Sequence, residues 1–136
     1  MLELDFIEID EEKIRQAREN YKHFGVLERV KIFFGDASEI IPIISSKYDF
    51  IFLDGPKGHY AEYLPHLLDA LNVGGILFAD NVLFRGYVTG KVKMPHRHAT
   101  IKHSMENFLK GITTSENLKS EILDIEDGVS ITEKIK

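Results

Sequence analysis

The 136 residues contain no cysteine. That excludes disulfides, thiolate metal sites and a cysteine nucleophile, and it agrees with the reducing cytoplasm expected for this chain. There is no run of 18 apolar residues, and the opening Met1-Leu2-Glu3-Leu4-Asp5 has no secretory character, so neither a membrane span nor a membrane partner is expected. Internal repeats, low-complexity stretches and long linkers are also missing. One further absence is local: Val82 to Met105 holds no acid at all. What is present is enough for a packed core, with 43% hydrophobic and 29% charged residues, and the length predicts one domain over 1–136.

The formal net charge is −5, yet the acid-free stretch carries Arg85, Lys91, Lys93, Arg97 and Lys102. His96, His98 and His103 could add to it below neutral pH. An acidic body with one cationic segment suggests a local anionic partner, such as a phosphate-bearing substrate or RNA; the plainer alternative is a solvated loop and helix face.

Strand-like and helix-like stretches alternate along the chain. Leu4 to Ile9 reads as a strand, and Asp10 as the N-cap of a helix with Ile14, Ala17, Tyr21 and Phe24 at helical spacing and Gly25 just past its end. Val30 to Phe34 is strand-like, and Ser38 to Ile44 is a short helix interrupted by Pro42. Tyr48 to Leu53 has the pattern of a strand buried on both faces. His59 to Leu71 reads as a helix that Pro65 should kink or restart. Asn72-Val73-Gly74-Gly75 is a turn leading into a buried strand, Ile76 to Ala79. Arg97 to Lys110 predicts a helix stopped near Gly111. Leu118 to Ile125 and Val129 to Ile135 flank Asp127-Gly128, a hairpin signal. The order βαβαβαβ, then helix and two strands, predicts an α/β fold with a mostly parallel sheet and an antiparallel hairpin at its end.

In open α/β sheets, ligands bind beyond the carboxyl ends of the parallel strands. The four expected strands end at Glu8-Ile9-Asp10, Gly35-Asp36-Ala37, Asp54-Gly55-Pro56-Lys57 and Asp80-Asn81, so each brings a carboxylate to that edge. Any one of these acids also reads as a cap or turn residue, Asp10 above all. Asp54, Asp80 and Asn81 are an oxygen-only set of the kind a hard cation such as Mg²⁺ accepts, although Asp-Asn after a strand is also a common turn. Lys57, three residues past Asp54, suits a general base, because a nearby divalent cation favours neutral lysine; a loop lysine paired with an acid is the alternative. Glu8 could accept both hydroxyls of a ribose, and Asp36 an adenine amino group beside the Asp36 and Ala37 amides.

Four segments then carry a family resemblance: Phe6-Ile7-Glu8-Ile9-Asp10, Gly35-Asp36-Ala37, the stretch from Tyr48 through Asp54-Gly55-Pro56-Lys57-Gly58-His59-Tyr60, and Gly74-Gly75-Ile76-Leu77-Phe78-Ala79-Asp80-Asn81-Val82-Leu83-Phe84-Arg85-Gly86. Together they resemble the metal-dependent class I S-adenosylmethionine O-methyltransferases, the group that includes catechol and caffeoyl-CoA O-methyltransferases. The run Asp80 to Gly86 and the closing Asp127-Gly128-Val129-Ser130-Ile131 are most similar to the bacterial branch that methylates 5-hydroxyuridine at the tRNA wobble position. The resemblance implies a Rossmann-like sheet and S-adenosylmethionine as cofactor. It implies Asp54, Asp80 and Asn81 as ligands of Mg²⁺ (or Mn²⁺ or Ca²⁺) and Lys57 as general base. It implies Glu8, Asp36, Ala37 and Asp54 as cofactor contacts. Arg85, Lys91, Lys93, Arg97 and Lys102 then become candidates for holding an RNA backbone, with Tyr87 stacking on a base. A homodimer is also implied.

Two departures stand out. Asp54-Gly55-Pro56-Lys57 replaces the family's usual Asp-Ala-Ala-Lys but keeps the spacing. The family's N-terminal helices, first central strand and Gly-rich turn have no counterpart, and no Gly-x-Gly-x-Gly occurs anywhere. The expectation is a truncated chain whose two sheet segments either close the gap directly or take a strand from another chain. Three readings follow: transfer to 5-hydroxyuridine in tRNA, transfer to a small catechol-type phenol, or an inactive fragment that serves as a dimerisation or interaction module. An NAD-binding domain ranks last, since it explains neither Asp80 nor Asn81 and lacks its own glycine fingerprint.

Overall fold

The computed structural model describes residues 2–84, 88–90 and 99–136. The chain divides into two units, Met1–Ile44 and Ser45–Lys136.

In the first unit, β1 (Leu4–Glu8) pairs in parallel with β2 (Val30–Phe34), with Phe6 opposite Ile32 and Glu8 opposite Phe34. The connection is α1 (Glu11–His23). Its start follows from Asp10, whose Oδ1 accepts from the amides of Glu12 and Lys13 at 2.9 and 3.3 Å, with Glu11 and Glu12 in the first turn. Gly25 takes a left-handed φ of 70° just past the helix and donates to the Lys22 carbonyl. The expected apolar stripe ends early: Phe24 caps the helix, exposed, with its ring edge-on to His23. Asp36 caps the short α2 (Ala37–Ile40), after which Pro42 sits in a 3₁₀ turn, Ile41–Ile43, where a missing backbone donor costs little.

The second unit is a four-stranded sheet in the order β3-β4-β6-β5. β3 (Tyr48–Leu53) runs parallel to β4 (Leu71–Asp80), while β6 (Val129–Lys134) is antiparallel to both β4 and β5 (Leu118–Leu123). The predicted hairpin is therefore present. Gly128, at φ 86°, is required there, because a Cβ would stand 2.3 Å from Leu83 Cγ. Two helices pack on one face of the sheet, α3 (Tyr60–Ala70) and α4 (Ala99–Thr114). That face carries the buried residues Leu77, Ala79, Ser130 and Thr132, and Ser120 Oγ donates across it to the Ile112 carbonyl of α4 at 2.6 Å.

Four local expectations change. The run Tyr48–Leu53 is not buried on both faces: Phe50 and Phe52 are 58% and 55% exposed. β3 is an edge strand, and the two phenylalanines lie opposite Ile76 and Phe78 on the face away from the helices. Phe52 and Phe78 stack there with ring centroids 5.5 Å apart. Pro65 does not restart α3, which is a single helix from Tyr60 to Ala70 with the proline exposed. Gly111 does not end α4, which runs on to Thr114; a Cβ at Gly111 would meet Leu64 Cδ2 at 2.9 Å, so this glycine serves the approach of α3 to α4. Lastly, β4 begins at Leu71, opposite Tyr48, and the turn at Asn72–Gly75 becomes an irregularity within the ladder. Lys47 and Lys134 both reach the C-terminal carbonyls of α3: Lys47 Nζ donates to Asp69, and Lys134 Nζ to Leu68 and Leu71 at 2.7 and 2.9 Å.

Among the described residues the ladder partner of β3 is β4, and that of β1 is β2. Among those residues, no helix is long and apolar enough to cross a membrane.

Candidate metal and methyl-transfer site

Parallel register places the decisive carboxylates side by side. Leu53 lies opposite Ala79, so Asp54, the residue after β3, and Asp80, the last residue of β4, come to the same carboxyl edge. The chain then turns at Asn81 with a φ of 60°, a left-handed conformation that asparagine accepts more readily than most residues. This turn brings Asn81 Nδ2 to 3.3 Å from Asp54 Oδ1, while the Asn81 amide donates to Asp80 Oδ1 at 2.8 Å. Asn81 thus hydrogen-bonds to both Asp54 and Asp80 at one sheet edge.

The chemistry of this set fits a divalent ion. Two carboxylates and one amide provide hard oxygen donors, and hard cations take a few such ligands and complete their shell with water and substrate oxygens. Asn81 meets Asp54 through its nitrogen, but rotation of the terminal amide would present its oxygen at the same place. Among the described residues no cluster of three or more histidines, aspartates or glutamates gathers in this way. The third donor here is an amide.

Beneath the carboxylates lies a residue whose role the sequence does not announce. Tyr60, the first residue of α3, is fully buried, with its ring edge-on to Phe108 at 5.5 Å. Its Oη donates to the Asp80 carbonyl at 3.0 Å, reaches the Leu53 carbonyl at 3.4 Å, and accepts from the Gly55 amide at 3.3 Å. Burial pushes its phenol up to about 12, with the charges of Asp54 and Asp80 acting in the same direction and the Gly55 hydrogen bond opposing. Helical spacing marks Tyr60 only as apolar; the available signal is that a buried tyrosine needs a partner for its hydroxyl.

The remaining candidates lie as follows. Lys57 opens a 3₁₀ turn, Lys57–His59, three residues beyond Asp54 on the same loop. In the first unit, Glu8 ends β1 with Oε1 accepting from the Ile9 and Asp10 amides, both at 3.0 Å, which fixes the orientation of its carboxylate. Asp36 Oδ1 accepts from the Ser38 amide at 2.8 Å, and Ala37 is the first residue of α2. Lys102 lies on α4 and pairs with Glu106 at 3.5 Å, so its charge is partly matched within the helix. Arg85, Tyr87, Lys91, Lys93, His96, Arg97 and His98 lie outside the described residues.

The sequence model of the O-methyltransferase family matches residues 3–135. The chain belongs to the O-methyltransferase family. A caffeoyl-CoA O-methyltransferase of Citrus natsudaidai is 27% identical over 133 residues, covering 87% of this chain and 57% of the relative. The SAH-bound methyltransferase PaMTH1 of Podospora anserina superposes with a TM-score of 0.81 at 28% identity, covering 97% of this chain and 60% of that one. The O-methyltransferase TomG of Streptomyces achromogenes, in complex with SAM, gives a TM-score of 0.87 at 20% identity, a likeness of fold, over 98% of this chain and 62% of that one. The fold is thus that of the Rossmann-like O-methyltransferases, with a mixed sheet whose last strands are antiparallel. The chain spans about three fifths of the length of these family members.

Proposed function

We propose that this chain carries the metal and general-base machinery of an S-adenosylmethionine-dependent O-methyltransferase. The observation that carries the reading is the meeting of Asn81 and Asp54, 3.3 Å apart, beside Asp80. Both units fall within the one family match, and we take 1–136 as a single methyltransferase domain of a cytoplasmic protein.

Asp54, Asp80 and Asn81 would hold Mg²⁺ or a similar divalent ion. When bound, such an ion supplies Lewis acidity toward the hydroxyl to be methylated, and S-adenosylmethionine supplies the methyl group. Lys57 takes the hydroxyl proton on Nζ. Bound S-adenosylmethionine would supply the methyl group to that oxygen and leave as S-adenosylhomocysteine, while Lys57 would keep the proton. Much of the acceleration comes from alignment, which the paired strand ends provide through the backbone. In the first unit, the Glu8 carboxylate is suited to ribose hydroxyls, and Asp36 with the Ala37 amide to adenine. Asp54 is assigned to the cofactor as well as to the ion.

Two acceptors compete. The five cations without an acid between Val82 and Met105 support a tRNA bearing 5-hydroxyuridine. The caffeoyl-CoA names of the relatives favour a small catechol-type phenol. A homodimer is part of the proposal for either. The test is transfer of labelled methyl to undermodified tRNA and to a catechol, with Mg²⁺ and with EDTA. Transfer to one acceptor that chelation abolishes and Mg²⁺ restores supports the reading and selects the substrate. Failure with both acceptors, together with no Mn²⁺ binding, overturns it in favour of an inactive interaction module.

A further inference from the structure

We propose that Tyr60 is a positioning residue, whose buried hydroxyl sets the two strand ends that present Asp54, Asp80 and Asn81. The inference rests on the metal reading above. One oxygen makes three backbone contacts at this edge. Two of them flank Asp54, at the carbonyl of Leu53 before it and the amide of Gly55 after it. The third is the Asp80 carbonyl, part of the peptide that joins Asp80 to Asn81. Where Asp54 points and how the chain turns at Asn81 are therefore tied to the same atom.

The loop composition makes such a tie necessary. Gly55 gives the backbone after Asp54 wide freedom, and Asp54 itself is exposed, so no packing of its side chain fixes its direction. The hydroxyl, in contrast, is anchored from below. Its ring is fully buried against Phe108 on α4, so α3 and α4 together hold the clamp in place. A tyrosine hydroxyl has one proton, and the shorter contact assigns it to Asp80, with Leu53 as a weaker second acceptor. Phenylalanine would keep the ring and lose all three contacts.

The experiment is Mn²⁺ titration of the 136-residue chain by electron paramagnetic resonance, comparing wild type, Tyr60→Phe and Ile112→Val. Ile112 is fully buried on α4, so its truncation serves as a packing control that leaves the clamp intact. The expected result is Mn²⁺ affinity weakened about 10- to 100-fold in Tyr60→Phe and unchanged in Ile112→Val, the range seen when groups that orient metal ligands are removed. Replacing Tyr60 with 4-aminophenylalanine, which restores a donor, should recover most of the loss. Equal affinity in Tyr60→Phe and wild type overturns the inference while leaving the metal reading intact; so does an equal loss in both variants. Absence of Mn²⁺ binding by the wild type overturns the metal reading, and the inference with it. Should Tyr60→Phe fail to fold, wild-type chain labelled with ¹³Cζ-tyrosine gives the answer in Mg²⁺ titration. The Tyr60 resonance should then move more than those of Tyr21 and Tyr63, and a stationary Tyr60 resonance overturns the inference.

Discussion

Asn81 reaches Asp54 across the gap between two strand ends because its backbone is left-handed, at φ 60°, with Nδ2 3.3 Å from Asp54 Oδ1. Conformation and side chain make separate demands here, and two substitutions separate them. Asn81→Gly accepts the same φ and removes the amide. It should weaken Mn²⁺ binding tenfold or more while shifting the melting temperature by no more than about 2 °C. Asn81→Ala also removes the amide and adds about 1 kcal/mol of backbone strain, visible as a lower urea midpoint. Wild-type Mn²⁺ affinity in Asn81→Gly would remove Asn81 from the ligand set.

The turn behind the site is as constrained as the site. Val82 and Leu83 donate their amides to the carbonyls of Gly128 and Asp127, which fastens the segment after Asn81 to the β5–β6 hairpin. Gly128→Ala places a methyl 2.3 Å from Leu83 Cγ at a φ of 86°. A loss of about 2 to 4 kcal/mol in urea denaturation is expected. Combined with Leu83→Ala, the loss should be clearly less than the sum of the two single losses, since the second change removes the obstructing side chain. Strict additivity would mean that the clash is relieved elsewhere.

The carboxylates were legible in the sequence because each ends an apolar run, and parallel strands bring such ends to one edge. The links between them were not. Nothing in the spacing says that Tyr60, on the apolar side of its helix, spends its hydroxyl on Leu53, Gly55 and Asp80. Phe50 and Phe52 misled for a related reason: an apolar run does not reveal whether its strand is central or at an edge. Gly111 follows the last predicted helical residue as a C-cap would, yet it is a packing contact with Leu64. For Glu8 the sequence offers a ribose acceptor or a turn residue, and the coordinates add that its Oε1 accepts from the Ile9 and Asp10 amides.

Ser130 offers a test of the core beside the site. It is fully buried opposite Ala79, and among the described residues its hydroxyl has no hydrogen-bond partner. Its neighbour on the ladder, Thr132, shares a bond of 2.9 Å with Ser120, so the vacancy at Ser130 is specific to that position. An unsatisfied buried hydroxyl costs on the order of 1 kcal/mol or more, and Ser130→Ala removes it with little change in volume. A higher melting temperature is expected, by a few degrees at most. A clear fall would mean that the hydroxyl is engaged after all.

Alkaline unfolding should carry the signature of Tyr60. Its folded-state value, about 12, lies above the ordinary 10 of an exposed phenol, because burial opposes the charged form. Below about pH 10 both states hold the proton and the associated stability is fully present. Between pH 10 and 12 the unfolded chain loses its proton first, so stability falls, by on the order of 2 to 3 kcal/mol across the window at about 1.4 kcal/mol per unit. The reading is the difference between wild type and Tyr60→Phe, in which every other ionisation cancels. The variant should begin less stable at pH 8, having left the Gly55 amide and the Asp80 carbonyl without their shared partner, and should show a shallower decline above pH 10. Parallel stability curves for the two proteins from pH 8 to 12 would show that Tyr60 gives up its proton as readily in the folded chain as in the unfolded one, contrary to a hydroxyl buried under two carboxylates.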